Sequence, residues 1–345
     1  MRIALIGFGG VGKAFLRLLQ HKRDTLLKEG IDAKVTYILA SKGGIFCEAG
    51  VDSDALFDHL EQGGRVDDFP NGGSNEITLD YLTQRAAEID VAIDLLPTNK
   101  QTGQPGLGCV EKMLDTGVHV ILADKGPAML AYHDLAQRAR EHGVQLGLGC
   151  TTGGALPSIN GGIMDLAGAD IQSIEGVLNG TTNFIIQEME QSGCTYAQAL
   201  KKAQECGIAE TDPSLDVEGW DTAGKLLILT NVLMKEHKTL RDVSVAGITQ
   251  LIPEQIQTAR AEGKKYKLVG TACRNEHGIL ELTVEPRALG ADHPLFSADG
   301  KNKAVRYTSD TLGDLTLMGG ASGTTPAAAS VLRDLVNICR GYRFV

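Results

Sequence analysis

The sequence predicts an α/β protein: a Rossmann-type doubly wound parallel sheet with an inserted α+β domain. Three observations carry that reading. A glycine-rich turn, Gly7-Phe8-Gly9-Gly10-Val11-Gly12, lies between a short apolar run and a helical pattern at the chain start. Near-continuous apolar runs then alternate with helix-like stretches, the pattern of parallel strands buried on both faces. After Gly149 the alternation gives way to a glycine-rich loop, consecutive helices and a hairpin, the order expected of an α+β unit.

The elements follow in chain order. Arg2–Ile6 is the first strand, and Val11, Ala14, Phe15, Leu18 and Leu19 recur behind it at helical spacing. Lys34–Ala40, 91–96, 118–122 and 144–148 are further β-branched or leucine-rich strands. A strand is expected at 171–178. Thr181 opens and Gly193 closes the next helix, Thr195 and Gly207 bracket another, and Asp216 starts a long apolar-periodic helix reaching Met234. Strands at 266–274 and 279–285 flank the turn from Asn275 to Gly278 and form a hairpin. The helical tail at 327–339 returns toward the first domain. The expected division is therefore 1–148, completed by 316–345, around an inserted domain at 149–315. At about 150 residues per domain, 345 residues suit two.

Composition excludes several classes. The net charge is -10 with no basic block, so nothing favours nucleic acid or an anionic membrane surface. No run approaches the roughly 20 apolar residues of a membrane span, and no export signal is evident, so a cytoplasmic location is expected. The 7 cysteines are odd in number, scattered and free of Cys-x-x-Cys pairs, which reads as reduced thiols without a disulfide or metal framework. Glycine is the outlier: 42 residues against 10 prolines imply many tight turns or close backbone approaches.

The glycine turn has the G-x-G-x-x-G form in the context that gives it meaning. Gly7 allows the turn, Gly9 the approach of a pyrophosphate, and Gly12 the helix–strand contact; Phe8, Gly10 and Val11 complete the loop. The second strand ends at Ala40-Ser41-Lys42, where an acidic residue would bind an adenosine 2′-hydroxyl. Ser41 and Lys42 suit a 2′-phosphate, which favours NADP over NAD, while Asp32 lies at the wrong end of that strand. Asp94-Leu95-Leu96-Pro97-Thr98-Asn99 follows another strand at the carboxyl edge, where open α/β sheets bind ligands. Pro97, Thr98 and Asn99 either face the nicotinamide end or form an ordinary turn.

Two chemistries compete for the rest. Cys150, in Gly149-Cys150-Thr151-Thr152-Gly153, resembles the active-site cysteine of glyceraldehyde-3-phosphate dehydrogenases. Such a thiol needs a basic partner, and no histidine occurs between His142 and His237. Inorganic phosphate favours arginine forks, yet no arginine lies between Arg140 and Arg241. The other set is acidic and ammonium-bearing. Asp221 and Lys225, four apart, share one helix face, a spacing common among structural ion pairs. Glu210, Asp212 and Asp216 precede them in an acceptor-rich loop. Lys125, in Ala123-Asp124-Lys125-Gly126-Pro127, adds a cation at the carboxyl edge of the sheet.

As a set these residues resemble the homoserine dehydrogenase family. The match is carried by the Gly7 to Gly12 turn, Leu95 to Asn99, Ala123 to Pro127, Gly153 to Pro157 and Asn179-Gly180-Thr181-Thr182-Asn183. Its most specific part runs from Gly207 through Glu210, Asp212, Asp216 and Asp221 to Leu226, and Gly313-Asp314-Leu315-Thr316 extends it almost to the end.

The resemblance implies interconversion of L-homoserine and L-aspartate 4-semialdehyde with NAD(P)H, a step toward threonine and methionine. Glu210 would bind the substrate ammonium with Gly180 and Thr181, and Asp216 would sit beside them. Lys225 and Lys125 would serve the reacting oxygen, with Asp221 orienting the relay. Gly323 would join the cofactor set. The second domain would be catalytic and would form a homodimer, with the hairpin at 266–285 as the expected surface.

Some positions depart from the family pattern. Gly149 stands where many members carry a glutamate near a monovalent cation, so no metal ligand is assigned. Asp124 replaces a common asparagine, Ile208 stands where some members carry tyrosine, and Ala321-Ser322-Gly323 replaces a more typical Gly-Ala-Gly. A relative acting on a neighbouring 2-amino-4-hydroxy acid, a semialdehyde dehydrogenase using Cys150, and a dinucleotide sensor with a degenerate site are the competing readings. The chain ends soon after its last predicted helix, so the short form without a regulatory ACT domain, and hence without threonine feedback through one, is expected.

Overall fold

The strand Arg2–Ile6 (β1), buried beyond Arg2, is central to a seven-stranded sheet in the computed structural model, which describes residues 1–345. It leads into α1 (Gly10–Lys28), β2 (Lys34–Ala40), β3 (Gly43–Phe46), α2 (Ser53–Glu61), β4 (Gly73–Ser74) and α3 (Leu79–Gln84). Then come β5 (Val91–Asp94), α4 (Gly106–Asp115), β6 (His119–Leu122), α5 (Lys125–Glu141), β7 (Leu146–Gly147) and α6 (Gly149–Gly153). Strand order is β4-β3-β2-β1-β5-β6-β7, parallel from β2 through β7. Three of these helices start on side-chain caps that spare otherwise unpaired N–H groups: Asp52 for α2, Thr78 for α3 and Asp124 for α5.

One edge departs from the parallel expectation. After β2 the chain reverses at Ser41 and Lys42, and β3 and β4 add antiparallel strands. Two glycines permit it: Gly43 has φ +149°, and a Cβ at Gly44 would lie 2.4 Å from the Ile38 carbonyl oxygen.

Beyond α6 come α7 (Ser158–Met164), β8 (Ile171–Val177), α8 (Gly180–Ser192), α9 (Tyr196–Glu205), α10 (Ser214–Val217) and α11 (Trp220–Leu233). These are followed by β9 (Val243–Val245), α12 (Pro253–Ala261), β10 (Lys265–Arg274), β11 (Leu280–Leu289), β12 (Lys303–Ser309) and β13 (Asp314–Gly319). They build a six-stranded sheet ordered β13-β12-β8-β10-β11-β9. α11 is buried almost all round, as a helix with Leu226, Leu227, Ile228 and Leu229 in succession must be, and it packs on β8, β10 and β11. Gly270 allows that approach, since a Cβ there would lie 3.2 Å from Thr222 Cγ2.

The last helix, α13 (Thr324–Cys339), packs against α1, β6 and β7. The chain thus divides into one unit of Met1–Thr151 with Gly323–Val345 and another of Thr152–Ser322. The return falls at Gly323 and not at 316 because 314–319 is a strand paired along β12. Two further expectations differ. The loop after Gly149 begins as α6, and the helix expected from Asp216 is two helices separated at Gly219, where φ is +91°.

Candidate active site

In the first unit the glycine turn has the shape a dinucleotide needs. Gly7 has φ +102°, and a Cβ on it would lie 2.9 Å from the Leu95 carbonyl. A Cβ on Gly12 would lie 2.8 Å from the Gly7 carbonyl oxygen, so any side chain there would push α1 off the turn. Around Gly9 nothing lies within 4 Å of that position, which leaves the backbone of the helix start open to a ligand. α1 has no acidic residue in its first turn. Gly323 caps α13, and a Cβ on Gly10 would lie 2.8 Å from Thr324 Cγ2, so two helix N-termini converge beside the turn. Their partial positive charges add where a pyrophosphate would rest. Phe8 is buried against Phe57, and Val11 is half-buried in the first turn of α1.

Ser41 and Lys42 are exposed at the turn between β2 and β3. Lys42 lies close enough to Asp67 to favour its ionised form, although the main partner of that carboxylate is Arg65. Pro97, Thr98 and Asn99 follow β5, and the Thr98 hydroxyl accepts the Lys125 N–H at 3.3 Å. Lys125 is half-buried as the first residue of α5. Cys150 is 9% exposed in α6, with Sγ 3.6 Å from the Ala327 carbonyl, which is a packed thiol and not a presented nucleophile.

In the second unit Asn179 organises the acidic set. It caps α8 through Oδ1, which accepts the Thr182 N–H at 2.9 Å, while Nδ2 donates to Asp216 Oδ1 at 2.7 Å and Asp221 Oδ2 at 2.9 Å. Lys225 Nζ donates to the same Asp221 oxygen at 2.6 Å and to the Leu178 carbonyl at 2.8 Å. The Lys225 and Asp221 side chains are only 13% and 9% exposed, so this pair is shielded from the screening that weakens surface ion pairs. The Thr181 hydroxyl donates to the Ile208 carbonyl at 3.2 Å, tying the start of α8, with Gly180, to the loop that carries Glu210. The Glu210 carboxylate is exposed, and its backbone carbonyl is held by Gln204 Nε2 at 3.2 Å. Asp212 caps the turn before α10 by accepting the Ser214 N–H.

Two contributors escaped sequence reasoning. Asn179 belonged to a noted motif without a role, and its three partners come from separate elements. Lys303 is 8% exposed, with Nζ donating to the Gly153 carbonyl at 2.9 Å, although Lys301-Asn302-Lys303 reads as a solvated basic turn. Only the apolar Ala304-Val305 directly after it hinted at burial.

A sequence model described as homoserine dehydrogenase matches residues 157–336. The chain is 36% identical over 338 residues to the homoserine dehydrogenase of Methanocaldococcus jannaschii, covering 98% of both proteins. It belongs to the homoserine dehydrogenase family. It is also 34% identical to the NAD(+)-dependent homoserine dehydrogenase of Pseudomonas canavaninivorans, across 98% of this chain and 96% of that one. A crystal structure assigned to a homoserine dehydrogenase of Archaeoglobus fulgidus superimposes with TM-score 0.86 at 33% identity, covering 98% and 99% of the two chains. Family membership makes this an NAD(P)-dependent oxidoreductase, and the glycine turn is its fitting dinucleotide cradle. No helix is long and apolar enough to cross a membrane.

Proposed function

We propose that the chain interconverts L-homoserine and L-aspartate 4-semialdehyde, with Lys225 and Lys125 as the groups serving the reacting oxygen and NADP as the preferred cofactor. The observation that carries the reading is the Lys225 ammonium, which spends two N–H groups on Asp221 and Leu178 and retains a third for a substrate oxygen. The bound nicotinamide supplies or accepts the hydride. Lys225 donates a proton to the C4 oxygen as negative charge develops there, and Asp221 fixes the direction of that ammonium. Glu210 takes the substrate ammonium beside Asp216, while Gly180 and Thr181, at the N-terminus of α8, favour its carboxylate. Gly7, Phe8, Gly9, Gly10, Val11, Gly12 and Gly323 hold the pyrophosphate end, and Pro97, Thr98, Asn99 and Lys125 serve the nicotinamide end.

The NADP preference rests on Ser41 and Lys42, with Asp67 opposing it. A homodimer through the open face of the six-stranded sheet, including the hairpin of β10 and β11, completes the proposal. That face carries Glu175 held by Arg287 at 3.0 Å and Arg306 at 3.2 Å, a prearranged charged patch. Light scattering that returned the mass of one chain would remove the dimer.

The deciding assay follows reduced nicotinamide absorbance with L-homoserine and NADP or NAD. Lys225→Ala and Lys125→Ala are expected to lose about 10²–10⁴-fold in turnover while still binding cofactor. Wild-type turnover in both variants refutes the assignment. Lys42→Ala is expected to lower kcat/KM for NADP about tenfold and leave NAD unaffected, one charge-assisted contact being of that order. An unchanged ratio refutes the preference.

A further inference from the structure

Two carboxyl groups that the mechanism does not use lie beside one glycine at the carboxyl edge of the parallel sheet. Asp94 ends β5 and is 1% exposed; Asp124 follows β6 and is 2% exposed. A Cβ at Gly106, the first residue of α4, would lie 2.8 Å from Asp124 Oδ2 and 3.0 Å from Asp94 Oδ2, so both oxygens line one notch. Their hydrogen bonding is unequal. Asp124 accepts the Gly126 N–H at 2.9 Å and the Thr98 hydroxyl proton, both of which favour its charged form. Asp94 accepts only the Leu96 N–H, on Oδ1, and its buried Oδ2 has no partner.

We propose that Asp94 and Asp124 hold one proton between them, carried on Asp94 Oδ2, and that this pair is the positioning device for the Thr98 and Lys125 backbone at the nicotinamide end. Two adjacent carboxylates in an apolar setting cannot both ionise without a large cost. A proton on Asp94 Oδ2 turns its orphaned acceptor into a donor aimed at the notch shared with Asp124. Asp124, left ionised, takes the only proton of the Thr98 hydroxyl, which must then accept from Lys125 N–H. The hydrogen bonds therefore converge on Asp124, from Asp94 Oδ2 on one side and from Thr98, itself accepting from Lys125 N–H, on the other, and the donor in each is fixed.

The surrounding groups do not supply a second counter-charge. From α4 the pair faces Cys109, whose thiol burial pushes up to about 12, so it remains neutral. From α5 it faces Lys125, whose charge acts on Asp124. Burial, with Asp124 adding to it, pushes the Asp94 carboxyl up to about 7, and burial raises Asp124 as well.

The positioning role rests on the cofactor reading given above; the shared proton does not. Infrared spectroscopy of the wild-type chain should show a protonated-carboxyl C=O band near neutral pH that disappears as pH rises, and Asp94→Asn should lack it. NADPH affinity, read by fluorescence, should weaken about tenfold between pH 6 and pH 9 in the wild type, since a tenfold difference in proton affinity between the free and bound chains is worth a tenfold difference in binding. Asp94→Asn, a permanent neutral donor of the same shape, should flatten that dependence. Absence of the band at every pH overturns the shared proton, and an equal pH dependence in wild type and Asp94→Asn overturns the positioning. A wild-type chain that binds no NADPH at any pH would instead remove the cofactor reading, with the infrared titration still deciding the proton.

Discussion

Asn179 performs two tasks with one amide: its oxygen caps α8, and its nitrogen bridges Asp216 and Asp221. Substitutions can separate them. Serine at an N-cap still accepts a backbone N–H but is too short to bridge two carboxylates, whereas alanine does neither. Asn179→Ser and Asn179→Ala should therefore lose turnover alike, by at least about tenfold, since both remove the amide N–H groups that tie Asp221 to Asp216 and leave Lys225 to hold Asp221 without them. Asn179→Ala should be less stable than Asn179→Ser by about 0.5–2 kcal/mol in urea unfolding, the worth of the cap. Full kcat/KM in Asn179→Ser would show that the bridge is dispensable. Single residues were the least legible scale in the sequence. Asp221 and Lys225 could be paired from helical spacing alone, but Asn179 acquires its role only where β8, α10 and α11 meet. Lys303 is similar: the residues before it in sequence are polar, and its burial comes from β12 pairing with β8 and β13.

Elements were legible where the chain carries its own punctuation. Thr195 forms a capping box with Gln198, and Gly193 ends α8 at φ +67°, as their types predict. The helix expected from Asp216 failed because an apolar period runs through Gly219 without a visible break, and glycine is tolerated inside helices. Its φ of +91° shows what it does instead, which is to turn α10 into α11 while passing 3.0 Å and 3.2 Å, at the Cβ position, from Val245 and Val284. Gly219→Ala combines backbone strain with both contacts and should cost about 1–3 kcal/mol, seen as a lower urea midpoint at unchanged slope. Gly263→Asn is the comparison: φ is +71° with nothing within 4 Å, and asparagine tolerates that conformation, so stability should change by no more than about 0.5 kcal/mol. Equal stability of Gly219→Ala and wild type would mean the turn relaxes freely. The antiparallel β3 and β4 were hidden for a related reason, since Gly43 and Gly44 read as loop and the strand they start is only four residues long.

At the scale of the whole molecule, stability against pH reports opposing carboxyl groups. Asp90 is held low by the Arg2 hydrogen bond, so its contribution is present above the ordinary carboxylate range and is lost as pH falls through its folded value. Asp94 has the opposite sign. Its folded value near 7 lies above the ordinary 3.8, so the folded chain binds the proton more tightly than the unfolded chain does. Stability is therefore highest, as far as Asp94 is concerned, below about pH 4, falls as pH rises toward 7, and is flat above. With a net charge of -10 at pH 7, each further buried negative charge also adds to self-repulsion. Asparagine at position 94 removes the titration and keeps a donor for Asp124. Asp94→Asn should lack the decline between pH 4 and pH 7 and exceed the wild type at pH 8 by up to about 4 kcal/mol, at about 1.4 kcal/mol for each tenfold difference in proton affinity between the folded and unfolded chains. Urea unfolding of both chains from pH 4 to pH 9 measures this directly. Parallel curves would mean that Asp94 ionises in the fold as it does in water, and that the notch beside Gly106 is wetter than its burial implies.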